Sequence, residues 1–323
     1  MAHELDSFID GRARMAYVGD TPWHGLGQQL TVGAPLETWA AEAGMDFNIV
    51  GAPVLFQRTD KTIADQGSKQ VLYREDTGAA LGVVGNKYKV VQPIEVLEFF
   101  RDLVEEQGFE LETAGVLFGG AKYWALARTG NSFKIGDNDI LKDYLMLATA
   151  CDGTLRTTAR RTSVRVVCNN TLNLSNKDAM SDIKVSHSSV FDGNAVKTEL
   201  GLRADDWDDF KVKAEILSTT HLTDLQAVKF VQGLYGENNH TQISKTLQLY
   251  SGQGLGAEYD TSRDTAWGML NAVTEVADWH QGKSQDRRLE AAWLYGGVSL
   301  KMRAMEMLMQ AANNPSYLLT ATA

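Results

Sequence analysis

FELETAGVLFGGAKYWALAR, residues 109–128, reads as two strands folded back on each other. Gly119 and Gly120 supply the positive φ values that a two-residue hairpin loop requires, and apolar runs flank them, Phe109 to Phe118 and Ala121 to Arg128. The same texture continues outward. Ile49 to Phe56, Gln70 to Tyr73 and Ala80 to Val84 are short apolar runs parted by polar or glycine-bearing turns, and Gly85-Asn86 is a turn before Lys87 to Val91. A further strand, Tyr144 to Cys151, follows a loop at Gly136-Asp137-Asn138, and Asp152-Gly153 turns the chain again. Helices interrupt this meander. Leu36 to Ala43 is a short one; a longer one starts at Pro93, sets Ile94, Leu97, Phe100 and Val104 against Glu95, Glu98, Asp102 and Glu105, and stops at Gly108.

Beyond Asn170 the apolar period becomes helical, over Asn194 to Ser218, Thr223 to Tyr235, Thr241 to Leu249, Thr261 to Gln281 and Asp286 to Ala311. Strands followed by helices, without βαβ alternation, predict an α+β fold: an antiparallel sheet-rich domain over residues 1–190 and a mostly helical domain over 191–323. In the last helix Leu289, Trp293, Leu300, Ala304 and Leu308 form a stripe with Met302, Met305 and Met309 beside it. That is more apolar surface than a small sheet domain covers, which predicts a homo-oligomer.

A hydrophobic content of 44%, a charged content of 22% and five prolines exclude a disordered or fibrous chain. No apolar run approaches the ~18 residues of a membrane span, and MAHELDSFIDGRAR has no apolar core of a secretory signal, so a cytoplasmic protein is expected. Two cysteines, Cys151 and Cys168, exclude a disulfide scaffold and a Cys-rich zinc site; both fall in apolar strand runs and are expected to be reduced and unreactive. Gly254 to Gly256 lacks the full glycine fingerprint and follows no strand, so no dinucleotide cofactor is expected.

The chain carries a net charge of -10, yet TLRTTARRTSVRVVCNNTLNLSN, residues 154–176, inverts that sign locally. Arg156, Arg160, Arg161 and Arg165, with Lys177, give +5 in a stretch without an acid between Asp152 and Asp178. Its β-branched residues favour extended backbone. Alternation along an unbroken strand sets Arg156 and Arg160 on one face and Arg161 and Arg165 on the other; a bulge near Arg160-Arg161 would unite them. Asn169 and Asn170 read as the strand's end and the cap of a following helix. Guanidinium forks match phosphate oxygens, and Tyr123, Trp124 and Tyr144 on neighbouring strands would supply stacking faces, so the leading expectation is a single-stranded nucleic-acid-binding protein, with no catalysis required. The competing expectation is ion pairing of the same arginines with Asp205, Asp206, Asp208 and Asp209.

Two further readings come from the acids. Asp264, Asn271, Glu275 and Asp278 share one helix face with His280 nearby, a donor set for a metal-assisted hydrolase of nucleic acid, or merely a solvated face. A non-enzymatic interaction protein acting on a host system through its acidic surface is the other, although the acids are dispersed. In Thr21-Pro22-Trp23-His24-Gly25-Leu26-Gly27, His24 is either a ligand or base or a packing element of a tight loop.

The strings Trp23-His24-Gly25-Leu26-Gly27, Gly85-Asn86-Lys87-Tyr88, Asp152-Gly153-Thr154, Val164 to Leu172 and Asn271-Ala272-Val273-Thr274-Glu275 together resemble the phage/plasmid-like protein family, a domain of unknown function, over nearly the whole chain. The resemblance implies a mobile-element origin and a cytoplasmic setting, and brings no catalytic residue or cofactor with it. The order of antiparallel strands, basic strand and helix is also similar to that of phage single-strand annealing recombinases, which implies a role in recombination or replication.

Overall fold

The hairpin at residues 109–128 forms, with a longer loop than two residues. β6 (Glu110–Leu117) and β7 (Lys122–Ile135) are antiparallel with Leu117 opposite Lys122, and Phe118, Gly119 and Gly120 turn the chain with φ of 53°, 70° and 98°. A Cβ on Gly120 would sit 2.7 Å from the Phe47 ring, so the turn also permits a close approach. The computed structural model describes residues 7–8, 10–19, 26–165, 170–173, 182–201, 206–280 and 296–320.

β7 does not end at Arg128. It pairs with β8 (Asp139–Ala150) from Lys122 opposite Ala150 out to Ile135 opposite Asp139, with one irregularity between Arg128 and Ser132. The outer part of this hairpin exists because Phe133, Ile135 and Leu141 are buried against helices, a tertiary demand that overrides the weak local strand signal of its polar residues. The main sheet has eight strands in the order β10 (Asn170–Asn173), β9 (Thr157–Arg165), β8, β7, β6, β1 (Met15–Val18) and β2 (Gln28–Leu30), with β11 (Ile183–Val185) on the first part of β9. β1 and β2 are parallel, and every other pair is antiparallel. β9 keeps unbroken register with β8 from Leu141 opposite Arg165 to Ala148 opposite Thr158, so Arg160 and Arg161 face opposite sides. Asn170 opens a strand opposite Arg165, which corrects its expected role as a helix cap; Asn169 lies outside the described residues.

A second sheet holds β3 (Ile49–Gln57), β4 (Ile63–Arg74) and β5 (Ala80–Gly85). β5 meets β4 only between Lys69 and Tyr73, and the rest of β3 and β4 extends as a two-stranded ribbon.

One core lies between the main sheet and its cover. Val116, Tyr123, Ala125, Leu145 and Leu147 pack with Trp39 of α1 (Leu36–Glu42), Leu97 and Phe100 of α2 (Pro93–Gln107), Val196 of α3 (Gly193–Gly201) and Leu72 of β4. Gln92 and Glu95 form a reciprocal capping box on α2, and Gly108 ends it in the left-handed conformation. The opposite sheet face buries Met15, Trp124, Leu126, Tyr144 and Met146. The other large core is helical: α4 (Asp206–Thr219), α5 (Asp224–Tyr235), α6 (His240–Gln248), α7 (Ala266–Glu275), α8 (Gly296–Asn313) and α9 (Tyr317–Thr320). Phe210, Phe230, Trp267, Leu270, Ala304 and Leu308 meet there around the tip of the β7–β8 hairpin, each large apolar side chain contributing about 1.5–3 kcal/mol.

The helix expected over Asn194 to Ser218 is two, α3 and α4. That expected from Thr261 starts at Ala266, because the Thr265 side chain accepts from the Gly268 N–H, and it widens into a π-helical turn at Val276–His280. A second π turn, Leu249–Gln253, follows α6. In α8, Ala304, Met305 and Leu308 are buried within the chain, Leu300 and Met309 are half-buried and Met302 is 36% exposed, so among the described residues half of that stripe is covered without a second copy; Leu289 and Trp293 lie outside the described residues. Among the described residues no helix is long and apolar enough to cross a membrane.

Candidate nucleic-acid interface

Two of the four arginines are spent inside the fold. The Arg160 side chain is 5% exposed; its Nε donates to Asp182 Oδ1 at 2.6 Å and its terminal nitrogen to Oδ2, while Lys184 Nζ stands 3.3 Å from Oδ2. Burial pushes the Asp182 carboxyl up, but the Arg160 hydrogen bond and the Arg160 and Lys184 charges outweigh it and hold the group below the usual range. On the other face Arg161 pairs with Asp143, whose carboxylate is fully buried and also accepts from Thr129 Oγ1 at 2.7 Å and Asn131 Nδ2 at 3.3 Å. Leu145 stands opposite Arg161, so Asp143 is its diagonal cross-strand neighbour. Asp182 and Asp143 are thus carboxylate partners that the expected set of Asp205, Asp206, Asp208 and Asp209 did not include; Asp205 and the side chain of Asp206 lie outside the described residues.

The expected stacking faces are interior. Tyr123 and Trp124 are 1% and 2% exposed, and the Tyr123 hydroxyl donates to the Val91 carbonyl. Tyr144 is equally buried, and its hydroxyl donates to the Glu112 carboxylate. The reason is that the sheet is covered on both faces here, so successive side chains of β7 from Lys122 to Ala127 are all buried. None of the three reaches a base.

Arg156, immediately before β9, is the exposed member of the cluster among the described side chains. Its neighbourhood is built by His187, which is 9% exposed and lies between two chain segments. Its Nδ1 is 3.0 Å from the Lys89 carbonyl and its Nε2 3.1 Å from that of Leu155, and the Lys89 N–H donates to the His187 carbonyl at 2.6 Å. The imidazole stacks on Tyr88 with centroids 4.3 Å apart, and the Tyr88 hydroxyl donates to the Ala150 carbonyl at 2.6 Å. These contacts pin the segment 87–89 against the turn 151–156. Lys87, Lys89 and Arg156 are all exposed, and none has an ion-pair partner among the described residues. Asp152, the acid of this junction, is occupied locally, its Oδ1 accepting from the Thr154 N–H at 2.9 Å and hydroxyl at 2.6 Å. Lys177, His24, Cys168 and the side chain of Arg165 lie outside the described residues.

Two carboxylates of the alternative metal set, those of Glu275 and Asp278, have separate occupations. Asp278 pairs with Lys301 at 2.6 Å, both buried, and Glu275 accepts from the Leu255 N–H at 2.9 Å. Asp264 sits in a turn at φ 56°, and its carbonyl accepts from Leu222 N–H, while His280 is exposed at the end of the π turn. The change from α to π geometry at Val276 breaks the helical phase that had aligned Glu275 with Asp278. No group of three His, Cys, Asp or Glu side chains among the described residues is arranged to hold a metal ion.

Residues 80–293, most of the chain, match the model of a domain of unknown function, DUF932. The chain belongs to the DUF932 family. No curated protein and no solved structure matches it. The DUF932 match takes in Lys87, Lys89, Arg156 and His187 together with both buried arginine pairs, and it begins at the start of β5, after the β3–β4 ribbon. Within this DUF932 protein the two lysines carry a signal in the sequence: Asn86 to Lys89 sets a lysine on either side of the stacked Tyr88. Nothing in the sequence around His187 marks it as a clamp.

Proposed function

We propose that this protein binds single-stranded nucleic acid at the junction of Lys87, Lys89 and Arg156. The observation that carries the reading is the convergence of three exposed cations without ion-pair partners on two segments clamped by one buried imidazole, in a chain of net charge -10. A guanidinium fork and two ammonium groups are the donors that phosphates take. The buried pairs of Arg160 and Arg161 serve this arrangement indirectly by fixing β9, the strand that Arg156 precedes. A mobile-element origin, a cytoplasmic setting and a part in strand annealing during recombination or replication belong to the same proposal. So does a homo-oligomer, in which junctions of successive copies line one strand; light scattering that returned the monomer mass at micromolar concentration would remove that element.

Each phosphate contact to a single strand contributes about -0.7 to the slope of log affinity against log salt. Replacing Lys87, Lys89 and Arg156 by Ala therefore flattens the slope by about 2.1. Fluorescence anisotropy of a labelled oligothymidylate between ~50 and ~200 mM salt measures it. Absence of binding by the unaltered protein, or an unchanged slope in the triple variant, overturns the reading.

A further inference from the structure

Beyond Lys69 the β3–β4 ribbon has no third strand, and an isolated two-stranded ribbon is marginal in water. Yet it displays Leu55, Phe56 and Ile63 at 57%, 49% and 69% exposure. Phe56 stands opposite Ala64, which puts the ring on one face, while Leu55 and Ile63 lie on the other. The tip is a tight turn in which Lys61 N–H donates to the Arg58 carbonyl at 2.9 Å, with Lys61 at φ 69°. Asp60 is turned onto this loop, its Oδ1 accepting from the Thr62 N–H at 3.0 Å and hydroxyl at 2.6 Å. Arg58 and Lys61 are exposed and have no ion-pair partner among the described residues.

The root of the ribbon leads directly to the cationic junction. Lys69 stands opposite Gly85, and Asn86 donates its N–H to the Ser68 carbonyl and its Nδ2 to that of Gly67, both at 3.1 Å. Lys87 is the next residue. Arg58, Lys61, Lys69, Lys87, Lys89 and Arg156 thus form one path from tip to junction, and the ribbon from Ile63 to Lys69 is about 20 Å of it. The acids along the path are Asp60, Asp65 and Asp152, and each carboxylate accepts local hydrogen bonds, Asp65 Oδ1 from the Gly67 N–H at 2.8 Å. The path is net positive in an acidic chain, and its exposed aromatic ring lies two residues before Arg58 on the side of the tip. An extended polyanion carrying flat, unstacked bases is the ligand with the matching chemistry.

We infer that the β3–β4 ribbon is a second contact element for single-stranded nucleic acid, with Phe56 stacking on a base and Arg58 and Lys61 on phosphates. The inference rests on the reading of the junction as a nucleic-acid site. The test uses the full chain and a labelled oligothymidylate of about 30 nucleotides, with Phe56→Leu, Phe56→Ala and Arg58→Ala/Lys61→Ala variants beside the junction triple variant. Because these side chains are exposed, circular dichroism is expected to be unchanged. Loss of the ring weakens binding about 5- to 160-fold in both Phe56 variants, and the Arg58/Lys61 variant flattens the salt slope by about 1.4. If the junction variant loses binding while all ribbon variants keep affinity and slope, the ribbon inference falls and the junction reading stands. If the unaltered protein does not bind, both fall. Tighter binding to duplex than to the single strand overturns the stacking role of Phe56.

Discussion

Replacing Arg160 by Ala separates architecture from ligand binding within the basic stretch. The guanidinium is 5% exposed and makes two hydrogen bonds to Asp182, itself 14% exposed, so the variant leaves a largely buried carboxylate with only the partly exposed Lys184 at 3.3 Å. Breaking such a pair costs about 3–5 kcal/mol. An opposing effect trims this. Burial lowers the pKa of the Lys301 ammonium, and the Arg160 charge adds to that lowering against the pull of Asp278, so removing Arg160 relieves a repulsion. The expected loss is therefore about 3 kcal/mol at pH 7, the lower end of that range. The pH dependence has a definite sign. The folded Asp182 carboxyl lies below its ordinary value, so its stabilisation is complete above about 3.9, the unfolded value, and is lost as pH falls through the folded one. The gap between the two proteins is full at pH 7 and narrows below about pH 4. Urea unfolding followed by far-ultraviolet circular dichroism at both pH values reads it. Arg160→Met combined with Asp182→Leu regains most of the loss, because neither buried charge of the pair remains and Lys184, whose side chain is 38% exposed, stays solvated without Asp182. A gap under about 1 kcal/mol at pH 7, or one equally large in acid, refutes the reasoning.

Burial and the nearby Asp152 charge push the Cys151 thiol up to about 12, so in a Cys168→Ser background a thiol reagent modifies Cys151 no faster than the chain unfolds, and rapid labelling without denaturant contradicts this. Gly268→Ala places a Cβ 1.8 Å from the Ser262 carbonyl oxygen, where backbone meets backbone, and is expected to cost about 3 kcal/mol or more in urea unfolding; a loss below 1 kcal/mol shows that the 262–268 segment yields. Asp139→Ala removes the acceptor of Trp267 Nε1 and Thr261 Oγ1, bonds of 2.8 and 3.0 Å, and costs about 1–3 kcal/mol with a change in near-ultraviolet dichroism; an unchanged spectrum and stability contradict the assignment.

What was legible in the sequence was local. The β6–β7 turn announces itself through Gly119-Gly120, and the α2 helix through Pro93, its apolar period and Gly108, because these signals act within a few residues. The outer half of the β7–β8 hairpin was not legible: Thr129 to Ser132 carry no strand pattern, and Phe133, Ile135 and Leu141 find cover only in helices far along the chain. Asn170 misled for a related reason, since its side chain suits a helix cap while the pairing with Arg165 decides its backbone. At the site, the concentration of arginine was visible but its partners were not. Asp182 lies 22 residues beyond Arg160, and Asp143 meets Arg161 only through the register of β8 with β9. The burial of Tyr123 and Trp124 did have a signal, the unbroken apolar run around them, which marks a strand covered on both faces.

The β7–β8 hairpin also limits how the chain can be divided. Its inner half is floor to the sheet core, and its tip, with Phe133, Ile135 and Leu141, is a wall of the helical core. A fragment ending near residue 190 would keep all of its strands but display that tip bare, as a long ribbon with adjoining apolar side chains and the carboxylate of Asp139 stripped of Trp267 and Thr261. Such a surface favours self-association through strand edges. A soluble fragment of the sheet half would need those three apolar positions made polar, or the hairpin shortened to the Arg128–Tyr144 pair with a new turn.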